Sequence, residues 1–130
     1  MSRLQQRFMA GPGHPVARTL GPGDQVADFV VVEAPGHTPG QIALWRDSDG
    51  TLIAGDAALN INFLTLRPRL SLPLAVATVD MDQARDSIRK LAALGPARVV
   101  FGHGPMATGD AFTAFAATLC CQRHDTPRAL

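Results

Sequence analysis

The sequence predicts an α/β layered fold, and three observations carry that prediction. Short apolar strands alternate with two stretches of helical periodicity. Three of the strands stop at a glycine that is followed at once by a residue able to hold a metal. One strand pair is apolar on both faces, so the sheet must be covered on both sides. At 130 residues, 46% hydrophobic and 18% charged, the chain has the length and apolar content of one globular domain.

The elements follow in order. Residues 1–24 hold Gly-Pro-Gly triplets at 11–13 and 21–23 and read as a loop-rich segment with a short strand at 15–20. The run from Val26 to Ala34 (VADFVVVEA) is apolar and β-branched, a buried strand ended by Pro35-Gly36, with His37 directly behind. QIALWR (41–46) and TLIAG (51–55) flank Asp47-Ser48-Asp49-Gly50, a turn signal, and read as a hairpin. Pairing Arg46 with Thr51 sets Trp45 opposite Leu52, Leu44 opposite Ile53 and Gln41 opposite Asp56. Ile42, Leu44 and Ile53 then share one face, while Ala43, Trp45, Leu52 and Ala54 share the other. The same register returns Asp56 to the end of the hairpin from which His37 departs, within reach of one pocket.

Residues 57–79 carry Pro68 and Pro73 and fit no period, which predicts a long loop with short extended pieces. Asp80 is placed to cap a helix, with Gln83 three residues on as the reciprocal partner of a capping box, and Ala84, Ile88, Leu91 and Ala92 follow on its buried stripe. Asp82, Arg85, Asp86, Arg89 and Lys90 form an opposite-charge ladder expected on the solvated face, and Gly95-Pro96 closes the helix. ARVVF (97–101) is a short buried strand ending in Gly102-His103-Gly104-Pro105. A second helix is expected at 110–123, capped by Asp110, with Phe112, Phe115, Ala116, Leu119 and Cys120 on one stripe.

Charge narrows the partners. The formal net charge is +1 and the arginines are scattered from Arg3 to Arg128, so no electrostatic footprint for nucleic acid or an anionic membrane is present. No apolar run approaches the roughly 18 to 20 residues that span a bilayer. A small-molecule substrate and a cytoplasmic location are the expectation. Cys120 and Cys121 are neighbours, which seldom satisfies disulfide geometry. Cys120 and His124 would share a helix face, but two ligands do not make a metal site, and a buried thiol beside a helix-end histidine is the reading.

The chemistry lies in EAPG-His37, LIAG-Asp56 and VVFG-His103. Glycine at a strand end lets the backbone bend and approach closely, and a ligand just past the strand is held by a rigid scaffold. Imidazole and carboxylate are the nitrogen and oxygen donors that zinc, iron and manganese accept. His14, within GPGHP, lacks that context and reads as a loop histidine.

The run APGHTPGQIALWRDSDGTLIAGD, followed after a helix by FGHGP, resembles the C-terminal motifs of metallo-β-lactamase-fold metallo-hydrolases, from about Gly21 onward. The resemblance implies the C-terminal half of an αββα sandwich over residues 25–130, a mixed sheet with two helices on one face. It also implies a site for two ions, zinc in the first instance with iron or manganese as possibilities. His37 would ligate one metal, Asp56 would bridge both and His103 would ligate the other. In a complete site the metals would generate hydroxide for attack on an ester, thioester, lactam or phosphodiester, and Asp56 would help orient it, which makes Asp56 the expected catalytic residue.

Members of that family carry an H-x-H-x-D-H motif in an N-terminal half, and the four histidines here, His14, His37, His103 and His124, contain no such motif. The expectation is therefore a partial site, inactive alone, whose partner is an N-terminal half chain or a second copy. Two other readings stand beside it. Two histidines and a carboxylate are also the ligand set of mononuclear iron sites, and a truncated remnant or self-associating interaction module would need no metal.

Overall fold

A computed structural model describes residues 12–119. Among them run β1 (Gln25–Val26), β2 (Phe29–Glu33), β3 (Ile42–Arg46), β4 (Thr51–Gly55), β5 (Leu59–Asn60) and β6 (Leu70–Ser71). A 3-10 turn at Ala75–Ala77, α1 (Met81–Ala92), β7 (Arg98–Phe101), β8 (Ala107–Thr108) and α2 (Gly109–Thr118) follow. The main sheet has the order β1-β2-β3-β4-β7-β8 and is antiparallel except at β4–β7. β5 and β6 form a separate antiparallel pair.

The β3–β4 hairpin has the expected register, Leu44 opposite Ile53, Trp45 opposite Leu52 and Arg46 opposite Thr51. Its tip is fastened by Arg46, which pairs with Asp49 at 2.9 Å and with Asp28 at 3.0 Å and lies over the Phe29 ring. The two faces of the sheet fare differently. Ala43, Leu52, Ala54, Val99 and Phe101 pack with Ile88, Leu91, Phe112, Ala116 and Leu119 into one core, against which Val32 and Trp45 also lie. Both helices therefore cover the same face. On the far face Val31 and Thr51 are buried, Leu44 and Ile53 are half-buried and Val100 is 37% exposed.

Several expectations need correction. The single strand from Val26 to Ala34 is a tight hairpin, because Ala27 turns through the left-handed region (φ 54) and Val26 pairs with Phe29. No strand forms at 15–20. Asp80 does cap α1, accepting from Gln83 N at 2.9 Å, but its own N–H is committed to Gly36 O at 3.0 Å, so the reciprocal half of a capping box has no donor to accept from. The cap of α2 is Thr108, which accepts from Ala111 N, and Asp110 sits in the first turn instead. Residues 120–123 of the expected helix, with Cys120, Cys121 and His124, lie outside the described residues.

Candidate metal centre

The three strand ends are built in different ways, and in each the glycine has a physical task. Gly36 has φ 133 and lies so close to the first turn of α1 that a Cβ would overlap the backbone of Ala84. His37 is thereby pinned beside the N-terminus of α1, its carbonyl accepting from Val79 N at 3.2 Å. At the end of β4 the pairing with β7 slips between Ile53 and Gly55, a bulge that re-aims the chain. Gly55, at φ 56, makes the bend, and its carbonyl accepts from Gly102 N at 3.0 Å. The residues that precede Asp56 and His103 are thus bonded to each other. A Cβ on Gly102 would fall on the carboxylate of Asp56.

This close approach brings two of the three expected ligands together. His103 Nε2 stands 3.7 Å from Asp56 Oδ1. The His103 imidazole is 55% exposed, and Phe63 packs edge-on against it with ring centroids 5.9 Å apart. Behind it, buried Asn60 clamps the loop twice: its N–H donates to His103 O at 3.0 Å and its Nδ2 to Pro105 O at 2.8 Å. Gly104, at φ 97, passes so near the Asn60 carbonyl that no side chain fits. His37 does not join the pair: among the described residues no three His, Cys, Asp or Glu side chains are grouped closely enough to hold an ion. Its Nδ1 instead lies 3.4 Å from Thr78 Oγ1. His14 is exposed in a segment without regular structure.

One feature tests whether a cation suits this place. Asp56 Oδ1 is buried without a hydrogen-bond partner, although the side chain as a whole is 38% exposed. A buried carboxylate oxygen without a donor is costly, on the order of 1–3 kcal/mol or more for a charged group. A cation held between it and the neighbouring imidazole would remove that cost, and the nitrogen and oxygen donors are those that zinc and iron accept. The donor chemistry therefore suits a metal, but the pair supplies only part of a coordination shell, and among the described residues no third donor lies close enough to complete it. A cavity of about 420 Å³, walled mainly by Phe63, Leu72, Leu74, Phe115 and Leu119 with Arg69 among its polar lining, is bordered by neither Asp56 nor His103 and meets the pair only through the Phe63 ring.

The strand-end carboxylate and strand-end histidine thus meet on a mixed sheet that carries both helices on one face. The chain belongs to the metallo-beta-lactamase superfamily, whose family model matches residues 7–103. It is 38% identical over 91 residues to the "Probable metallo-hydrolase YflN" of Bacillus subtilis (strain 168), covering 65% of this chain and 34% of that protein. Among solved structures it resembles TTHA1623 in a di-iron-bound form, with a TM-score of 0.60 and 30% identity over 76% of this chain and 46% of that one. It also resembles a beta-lactamase domain protein from Burkholderia ambifaria, with a TM-score of 0.57 and 27% identity over 81% of this chain and 34% of that one. The chain thus spans about a third of the length of the curated relatives it matches.

The sequence motifs found the ligand candidates but not their supports. Thr78 and Asn60 contact residues 41 and 45 positions away, and neither stands in a motif.

Proposed function

We propose that this chain carries part of the metal site of a metal-dependent hydrolase, with His37, Asp56 and His103 as ligands and zinc, iron or manganese as the ion. The observation that carries the proposal is the buried, partnerless Oδ1 of Asp56 beside His103 Nε2, in a space kept clear by Gly102. A bound divalent cation supplies Lewis acidity toward a carbonyl or phosphoryl oxygen and acidifies water. The protein's own part is placement. Asn60 and Gly104 hold the His103 loop, the register shift at the end of β4 sets the direction of the chain into Asp56, and the exposed remainder of Asp56 would accept a hydrogen bond from the attacking water. The substrate class is a small-molecule ester, thioester, lactam or phosphodiester, and the hollow that shares Phe63 with His103 offers room for an apolar substituent.

The test is zinc binding by the purified chain, read by competition with a chromogenic chelator. Binding is expected to be weak, because three donors leave the ions undercoordinated relative to closed four-ligand sites. His37→Ala, Asp56→Ala and His103→Ala are each expected to weaken it further. Binding that survives all three substitutions unchanged rules the site out.

A further inference from the structure

His37 is described above as a ligand, yet it lies outside the Asp56–His103 pair, and its polar neighbour is a hydroxyl rather than a carboxylate. Thr78 Oγ1 lies 3.4 Å from His37 Nδ1. The same hydroxyl has a nearer partner, the carbonyl of Leu74 at 2.8 Å, toward which it donates. A threonine hydroxyl owns one proton. With that proton committed to Leu74, Oγ1 can only accept from the imidazole, so the nitrogen facing it must carry the ring hydrogen.

We propose that Thr78 is a positioning residue that holds neutral His37 as its Nδ1–H tautomer and leaves the Nε2 lone pair for a cation. The inference rests on the reading of His37 as a ligand. The backbone around the contact is fixed from both sides. Thr78 closes the 3-10 turn through its N–H to Ala75 O at 3.2 Å, and the next two residues grip the histidine loop, Val79 N to His37 O at 3.2 Å and Asp80 N to Gly36 O at 3.0 Å. Ser87 of α1 donates to Pro35 O at 2.6 Å and secures the approach to the loop. A free imidazole in water favours the Nε2–H form, which would block the outward nitrogen. A partner on the other ring nitrogen is the usual device that fixes a ligating histidine, and its loss typically costs about 10- to 100-fold in metal affinity.

The experiment records two-bond 1H–15N correlations of the histidine rings in the metal-free chain, at a pH where imidazoles are neutral. His37 is expected as Nδ1–H in the unsubstituted chain and shifted toward Nε2–H in Thr78→Val, with Thr78→Ser restoring the original pattern and Thr78→Ala guarding against a valine-specific packing effect. Zinc affinity should fall about 10- to 100-fold in Thr78→Val and recover in Thr78→Ser. His37→Ala is measured beside them. A tautomer indifferent to Thr78 overturns this inference, even where His37→Ala abolishes zinc binding and the metal reading stands. A Thr78-dependent tautomer together with a silent His37→Ala also overturns the inference, by showing that the nitrogen Thr78 frees serves no ion.

Discussion

Asp56 reaches its place because the residue facing it has no side chain. Gly102→Ala puts a methyl where the carboxylate lies, so Asp56 must swing away from His103. Zinc affinity is then expected to fall as far as in Asp56→Ala, with a loss of roughly 1–3 kcal/mol in unfolding free energy from the crowding. Asn60→Ala works from the other side of the histidine. It removes the bond to Pro105 O but keeps the backbone bond to His103 O, and should cost about 1–3 kcal/mol, read by urea denaturation. An unchanged midpoint in Asn60→Ala would mean that the side-chain bond to Pro105 O contributes nothing and that the backbone bond to His103 O suffices to hold the loop.

Among the elements, the β3–β4 hairpin makes the most specific electrostatic prediction. Its tip places Arg46 on both Asp49 and Asp28, and the Arg46 bonds, followed by the Thr51 hydrogen bond, hold the Asp49 carboxyl well below the usual carboxylate range. A depressed folded-state value means that the unfolded chain binds the proton first. The stabilisation is therefore complete above the unfolded value of about 3.9 and drains away as the pH falls through the lower folded value. Asp49→Asn should flatten the acid limb of the stability curve below about pH 4 and leave its shape near neutrality unaltered, as followed by urea denaturation across pH. This hairpin was also the most legible element, because a four-residue polar turn between two apolar runs fixes both strands and their register. The Ala27-Asp28 turn was not legible, since alanine in the left-handed region carries no compositional signal. Two-residue strands such as β8 exist only through their neighbours, and the choice of Thr108 over Asp110 as a cap depends on where the chain leaves β8. The site divides the same way. Glycine followed by a candidate ligand is written locally, whereas the bulge, Asn60 and Thr78 are products of tertiary packing.

For the molecule as a whole, the unequal faces of the sheet set the expectation. Both helices lie on the side of Leu52 and Val99, which leaves Leu44, Ile53 and Val100 only partly covered. A second copy meeting that face about a two-fold axis would bury it, because the same patch can oppose itself. Dimer formation in light scattering over a dilution series is the expected outcome, weakened by Val100→Asp. A concentration-independent monomer would show that the partial cover is sufficient, and a monomer that pairs only with an added H-x-H-x-D-H half would assign the face to that partner. Trp45 lies on the helix side of the sheet, so its fluorescence follows unfolding of the core rather than assembly. No helix among the described residues is long and apolar enough to cross a membrane.

The parallel pairing of β4 with β7 also has a consequence for the order of events as the chain folds. Hairpins such as β3–β4 close within microseconds, but a parallel neighbour requires the whole intervening chain, here the β5–β6 pair and α1, to be laid down first. Asp56 and His103 are therefore expected to meet only after that hairpin has closed. A cation that needed both donors would find no binding place in the nascent hairpin, and would slow the opening of the finished fold rather than speed its formation.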